Sequence, residues 1–348
     1  MVSFEGTPAE IGRAYGEQCR DGILANVRVL VLREGQEPLP RQDRGFPEWV
    51  HRQEATLTEH WPWLLEEIAG VAEGSGAGDE DVLLLNLRAW QYDCYGRPPA
   101  GSCSSLAVTL ADGTVACAGA LDDPAEYYCG PVRFAPRDGL AHITFPITGT
   151  SWGNRGMNSS GLAVGISSQL LPGLRSLPHA VNQDLALRAI LQTCCSVGEV
   201  REFCRRHPFT MNLVCVDAQG GLFCAHQTAA GLFELPTGDG WCALTNHVAD
   251  DGVMHLLSDL GAKEFPECPT TRARRGRLME FCRECSGACA MDDVLDLIWR
   301  RDDSDPGSIH NVGTIAITLA NPSADRRSFQ VRQPQTMLGG GESQRLAI

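Results

Sequence analysis

The chain has no long hydrophobic run. Its purely apolar stretches are short, as in "DVLLLNL", so no segment is expected to span a bilayer. The opening "MVSFEGTPAEIGRAYGEQC" lacks a basic stretch followed by an apolar one, so no secretory signal is expected. Positive charge is scarce. Lys and Arg total 29 against 43 Asp and Glu, and the net charge of −14 argues against nucleic acid or an anionic membrane as the main partner. Lysine is rare while glycine and alanine abound, a composition that permits a high-GC bacterial source. Repeats and long low-complexity segments are missing. "LGGGES" near the C-terminus lacks the Lys-Ser/Thr of a phosphate-binding loop and reads as a flexible tail.

What is present is the composition of a globular enzyme: 348 residues, 43% apolar and 21% charged. The 15 cysteines are many and odd in number. With no export signal they predict cytoplasmic thiols, most of them small core residues. "CRECSGAC" brings Cys282, Cys285 and Cys289 together like half of a zinc site. No second pair of ligands follows at regular spacing, so neither metal nor other cofactor is expected. Cys194 and Cys195 fall within an expected helix and read as packing residues.

Residues 5–35, 48–74 and "DEDVLLLNLRAWQYD" read as helices, the first opened by a capping Thr, an N1 proline and an early Glu. Beyond "GRPPAGS" the pattern changes to strands. "SSLAVTL" and "TVACAGAL" flank Ala111-Asp112-Gly113, a hairpin signal. Further hairpins are expected from "LAHITFPIT" to "LAVGISS", across Gly220-Gly221, and near Ala324-Asp325. Helices are expected over "AVNQDLALRAILQTCCSVGEVREFCRRH", "TTRARRGRLMEFCREC" and "MDDVLDLIWRRDD". The order predicts an α+β fold with antiparallel sheets under helical layers, in one domain, since no composition shift marks a linker.

Cys103 sits at the lip of the first hairpin, after a Pro-Gly-Ser loop, followed by the small polar Ser104 and Ser105. A loop there can be exposed while the strand holds the thiol rigidly. If the Ser102–Cys103 peptide bond is cut, Cys103 becomes a new N-terminus. Its α-amine, with a reference pKa of about 7.7–8.0, can act as general base for its own thiol.

These pieces, with "GTPAEIGRAYGEQ", "LNLRAW", "CSSLAV", "GMNSSGLAVG", "LALRAIL" and "LTNHV" in this order, resemble the N-terminal-nucleophile hydrolases. In particular they resemble the self-cleaving cysteine family of acyl-coenzyme A:6-aminopenicillanic acid acyltransferases. The resemblance runs over nearly the whole chain. It implies an αββα sandwich of two antiparallel sheets and a precursor cut into residues 1–102 and 103–348 that stay associated. It also implies a Cys103 thioester that passes its acyl group to an amine, in secondary metabolism, from a small-molecule donor such as an acyl-coenzyme A or an N-acyl amide. Asn246 in "LTNHV" matches the family's oxyanion-holding asparagine. Asp122 matches its carboxylate near the nucleophile, with Asp123 the alternative if the register slips by one; Ala120 stands where the family has asparagine, and Ser102 where it often has glycine. Arg88 and Asn158 match positions that either buttress loops or touch substrate, and the Ser104 backbone N–H is a second candidate oxyanion donor. His226, His247 and His310 read as structural. Arg272, Arg274, Arg275 and Arg277 read as a solvated helix face or as a site for an anionic donor. Amide hydrolysis, a non-catalytic relative and a thiol-redox or metal protein are the rival readings.

Overall fold

A computed structural model describes residues 1–89, 103–122, 128–169, 181–228, 230–259, 269–311, 313–333 and 343–346. The chain starts with strand β1 (Val2–Gly6) and then builds helices α1 (Pro8–Gln18), α2 (Arg20–Asn26), α3 (Gly45–His60), α4 (Pro62–Ser75) and α5 (Asp79–Asn86), with a π-helical turn over Val27–Val31. The hairpin β2 (Ser104–Thr109) and β3 (Val115–Asp122) follows. After it come β4 (Val132–Pro136), β5 (His142–Thr144), β6 (Gly156–Asn158) and β7 (Ala163–Ser167). Helices α6 (Gln183–Thr193) and α7 (Val197–Arg206) lead into β8 (Met211–Val216), β9 (Leu222–Thr228), β10 (Gly231–Glu234) and β11 (Trp241–Leu244). The chain continues through α8 (Asp251–Asp259), α9 (Pro269–Cys285), α10 (Met291–Trp299), β12 (Thr314–Asn321), β13 (Ser328–Arg332) and β14 (Ser343–Leu346).

The strands form two sheets. One runs β1-β4-β5-β6-β7-β8-β9-β10 and the other β11-β2-β3-β12-β13-β14. They pack face to face through β2, β3 and β11 against β7, β8 and β9. Helices α1, α6 and α7 cover the first sheet, and α9 and α10 cover the second, which makes four layers, αββα. Most strands are buried on both faces, so they carry near-continuous apolar runs rather than alternation. Period-two geometry still sorts the side chains. Ala107 and Cys117 join the core between the sheets, while Leu106, Val108, Ala116 and Ala118 face Leu278, Cys282, Val294 and Ile298 of α9 and α10.

Three expectations need correction. The first sheet is mixed, not purely antiparallel: β1 pairs with β4 in parallel, Phe4 opposite Phe134. The helix expected over 5–35 is preceded by β1 and breaks at Cys19. The helix expected through Cys194 and Cys195 is two helices, because Cys194 is extended (φ −100°, ψ 135°) and Ser196 caps the next.

Local chemistry explains the first helix. Thr7 accepts from the Glu10 N–H at 3.3 Å, Glu10 Oε2 accepts from the Thr7 N–H at 2.8 Å, and Pro8 takes the position where a missing N–H costs nothing. Its packing is set by glycine. A Cβ at Gly12 would stand 2.0 Å from the Glu67 carbonyl oxygen, and one at Gly74 would stand 2.1 Å from that of Arg13. Backbone therefore meets backbone between α1 and α4, which fixes how the first residues lie on the sheet.

Candidate active site

Cys103 immediately precedes β2 and is buried. Its neighbours follow from strand register. β2 and β3 pair with Ser104 opposite Ala120, so Asp122 comes to the mouth of the hairpin. The Cys103 sulfur lies 3.8 Å from the Asp122 carbonyl oxygen. On the other side β11 pairs antiparallel with β2, Leu244 opposite Ser105. Continuing that register by two residues carries Asn246 to the level of Cys103.

Asp122 is buried and its carboxylate is fully engaged. Thr314 Oγ1 donates to Oδ1 at 2.6 Å, and Asn311 Nδ2 donates to Oδ2 at 2.8 Å. Burial pushes its carboxyl above the usual carboxylate range, and the Arg274 guanidinium and these two donors pull it part of the way back. Asp123 and Ser102 lie outside the described residues.

Arg274 ties the cluster together. Its Nη1 donates to the Cys103 carbonyl at 2.7 Å and to Ser104 Oγ at 2.6 Å, and its Nη2 donates to Asn246 Oδ1 at 3.2 Å. That bond orients the Asn246 amide. One Asn246 N–H goes to the Ser168 carbonyl at 2.9 Å, and the Asn246 backbone N–H goes to Thr271 Oγ1 at 3.0 Å. The role of Arg274 was hidden in the sequence by its arginine neighbours. The signal was helical spacing: Thr271, Arg274, Leu278 and Cys282 are the buried stripe of α9, while Arg272 is exposed and Arg277 pairs with Asp305.

A polar lattice supports the segment that carries Asn246. Asn212 Nδ2 donates to the carbonyls of Thr245 at 2.6 Å and His247 at 3.1 Å. Its Oδ1 lies 2.6 Å from His226 Nδ1, which must carry a proton, because a carbonyl oxygen can only accept. His226 Nε2 then accepts from the Ala249 N–H at 2.9 Å. Both imidazoles are held neutral. Burial pulls His226 down to about 4, and burial followed by Arg275 and its arginine neighbours pulls His247 down to about 3.

The sign of the resulting pH dependence follows. Depressed values mean that protons bind the unfolded chain better. The stabilisation is complete above the unfolded value near ~6.5 and is lost as pH falls from there toward the folded values. Urea unfolding should therefore show stability declining below about pH 6.5, by on the order of 3 kcal/mol from His226. His226→Gln should remove the His226 share of that slope and leave the larger His247 share, and a flat profile in the wild type would contradict the assignment.

Two of the other family-matched residues stand apart from this cluster. Asn158 Nδ2 donates to the carbonyls of Leu191 at 2.9 Å and Cys194 at 2.7 Å, and its Oδ1 accepts from the Leu162 N–H at 3.0 Å. It ties the β6–β7 turn to the end of α6. Arg88, at φ 59°, bonds Asp184 at 3.1 Å and lies over the Trp152 ring at 4.8 Å. It joins the end of α5 to the start of α6. His310 bonds the Trp299 carbonyl at 2.8 Å.

Burial pushes Cys117 and Cys204 up to about 12 and Cys194 up to about 11, so these are poor sources of thiolate. Cys282 and Cys289 are buried about the end of α9, where Gly287 turns the chain at φ 74°. Among the described residues, no group of three or more His, Cys, Asp or Glu is placed to hold a metal, and no helix is long and apolar enough to cross a membrane.

Comparison with known proteins adds the following. Over 335 residues the chain is 26% identical to the 40 kDa form of acyl-coenzyme A:6-aminopenicillanic-acid-acyltransferase of Emericella nidulans, covering 88% of this chain and 83% of the relative. Among solved structures it is similar to a variant of conjugated bile acid hydrolase from Clostridium perfringens, with a TM-score of 0.44, 14% identity, and coverage of 71% of this chain and 97% of the other. It is also similar to the Caenorhabditis elegans ortholog of N-acylethanolamine-hydrolyzing acid amidase, with a TM-score of 0.46, 12% identity, and coverage of 65% and 95%. The model of one protein family matches residues 123–335, more than half of the chain. The chain belongs to the acyl-coenzyme A:6-aminopenicillanic acid acyl-transferase family.

Proposed function

We propose that this protein is a cysteine-nucleophile enzyme of amide chemistry that forms a thioester on Cys103 and transfers the acyl group to an amine. The observation that carries this reading is the Arg274 guanidinium, which binds the Cys103 carbonyl and the Asn246 side chain at once. It keeps an amide donor beside a thiol at the head of a rigid strand. The Cys103 sulfur attacks the acyl carbon and the carbonyl oxygen takes up the negative charge. The second Asn246 N–H, the one not bound to Ser168, is the side-chain donor to that oxyanion, and a backbone N–H near Ser104 is the other. The leaving group departs with a proton, and an amine then attacks the thioester and releases the sulfur. Water in place of the amine gives amide hydrolysis, with every earlier step unchanged.

The same sulfur performs the maturation we propose for the single domain of residues 1–348. It attacks the Ser102 carbonyl carbon, the Ser102–Cys103 C–N bond breaks, and a thioester and the Cys103 α-amine form. Water hydrolyses that thioester and leaves the Ser102 carboxylate. The α-amine is then the base for the thiol in turnover. The chains 1–102 and 103–348 remain together. Support for this comes from the β1–β4 pairing, from the buried Glu67–Arg188 bond at 2.9 Å, and from Asn26, which bonds the carbonyls of Tyr128 and Thr148 at 2.9 Å each. We assign the enzyme to the cytoplasm and to secondary metabolism. All cysteines among the described residues are free thiols, which suits a reducing compartment.

An acyl-coenzyme A should leave its acyl mass on the fragment beginning at Cys103, as a hydroxylamine-labile thioester. Adding 6-aminopenicillanic acid as the amine should discharge it faster than water does. Acyl mass on Cys117 or Cys215 would overturn the nucleophile. Discharge indifferent to amines would make the enzyme an amidohydrolase.

A further inference from the structure

Asn212 lies in β8 between two partners of the same sheet, opposite Ser167 of β7 and opposite His226 of β9. Its side chain is fully buried, and every bond its amide can make is taken. Nδ2 donates to the Thr245 carbonyl at 2.6 Å and the His247 carbonyl at 3.1 Å, on the two residues that flank Asn246. Oδ1 accepts from His226 Nδ1 at 2.6 Å and from Gln169 Nε2 at 3.0 Å. With both N–H groups and both lone pairs committed, the amide cannot flip or rotate without breaking buried bonds. A buried polar network of this kind adds little net stability over apolar packing of the same shape. What it supplies is a single arrangement of the groups it joins.

Those groups are the two ends of one hydrogen bond, from Asn246 Nδ2 to the Ser168 carbonyl at 2.9 Å. On the donor side, Asn212 grips the chain before and after Asn246. His226 extends that grip, because its Nε2 accepts from the Ala249 N–H at 2.9 Å. On the acceptor side, Ser168 stands between Ser167, the ladder partner of Asn212, and Gln169, which bonds Asn212 Oδ1 and the Gln227 carbonyl at 3.0 Å each. An amide is planar. Once the backbone of Asn246 and the Ser168 oxygen are fixed, the direction of the second Asn246 N–H is fixed too. Sliding one segment against the other would turn that N–H away from an acyl oxygen at Cys103. Hydrogen bonds weaken steeply as they bend, and a misplacement of about 1 Å can cost roughly 10²-fold in rate. Arg274 acts on the Asn246 oxygen from α9, whereas Asn212 acts on the backbone around it from β8.

We propose that Asn212 is a positioning residue of this site: it clamps the Thr245–His247 segment and the Ser167–Gln169 segment at one spacing, so that the second Asn246 N–H is aimed at the oxyanion before substrate arrives. The proposal rests on the reading of Asn246 as oxyanion donor to a Cys103 thioester. It deepens that reading by naming the group that sets the donor's direction without touching substrate.

The test is single-turnover acylation of Cys103 by an acyl-coenzyme A, followed by mass in the full-length protein. Asn212→Asp keeps the shape and the acceptor oxygen but puts an oxygen where the amide nitrogen faced two carbonyls. Acylation should slow by roughly 10-fold or more, with KM changed far less. The deciding reading is coupling. In an Asn246→Ala background, which has no amide to aim, the same substitution should cost less than about 2-fold. A purely structural Asn212 would lose the same factor in both backgrounds. A folded Asn212→Asp that acylates at the wild-type rate, or losses that multiply in the double variant, overturns the proposal. If Asn212→Asp does not fold, Gln169→Leu decides, because it releases only the Ser168 side of the clamp at a partly exposed position. Slower acylation that vanishes in the Asn246→Ala background supports the proposal, and an unchanged rate or multiplying losses overturns it. Acyl mass absent from Cys103 in the wild type would instead defeat the proposed reaction itself.

Discussion

Cys103→Ala is expected to accumulate as one uncut chain of 348 residues with no measurable transfer or hydrolysis. One sulfur is the attacking atom in both maturation and turnover, so a single change abolishes both. Loss of a nucleophile of this kind costs on the order of 10⁶-fold in rate. The fold should survive. The substitution removes one atom from a small side chain and leaves in place the Cys103 carbonyl, which holds Arg274, and the β2–β3 ladder. Denaturing intact mass is the measurement. The wild type should give two masses that meet between Ser102 and Cys103, and the variant should give their sum less the water and the sulfur. A wild-type preparation that is active yet shows only full-length mass would remove self-cleavage from the mechanism. A variant that is still cut would mean that the sulfur does not perform the cut.

Asn246→Ala is expected to lower kcat by roughly 10²–10³-fold, the usual cost of one oxyanion donor, with KM changed far less. The donor is aimed before substrate arrives, because Arg274 fixes Oδ1 and the Ser168 carbonyl takes one N–H. The loss therefore falls on the transition state. The variant should fold, since the backbone N–H of residue 246 still donates to Thr271 and Asn212 still holds the carbonyls on either side. Leaving Arg274 and Ser168 short of a partner should cost about 1–3 kcal/mol of stability. Single-turnover acylation separates the two effects. A folded variant that acylates at the wild-type rate would exclude Asn246 from the chemistry.

Local features were readable in the residues themselves. Thr7, Pro8 and Glu10 announce α1 because a cap is made by neighbours in sequence. Asp112 and Gly113 announce the β2–β3 hairpin because its turn needs a residue at positive φ, which Gly113 supplies at 80°. The α+β character followed from the same signals, and the family motifs added the layered sandwich. Strands β1, β4, β10, β11 and β14 were not legible. They have five residues or fewer, and each is held by a partner that the turn signals did not reveal. The parallel pairing of β1 with β4 crosses more than a hundred residues, and no turn chemistry encodes it.

The site divides in the same way. Cys103 could be singled out from its loop-to-strand context. That Asn246 stands beside it follows from the pairing of β11 with β2, a contact between distant segments that exists only once the sheet forms. Arg274 was the least legible. An arginine in a basic run reads as solvated, because charge is normally costly to bury. Only the tertiary structure supplies what makes burial tolerable: the Cys103 carbonyl with the Ser104 and Asn246 side chains around Arg274. The residues determined which groups were available for chemistry; the meeting of two sheets decided which of them lie within reach of the sulfur.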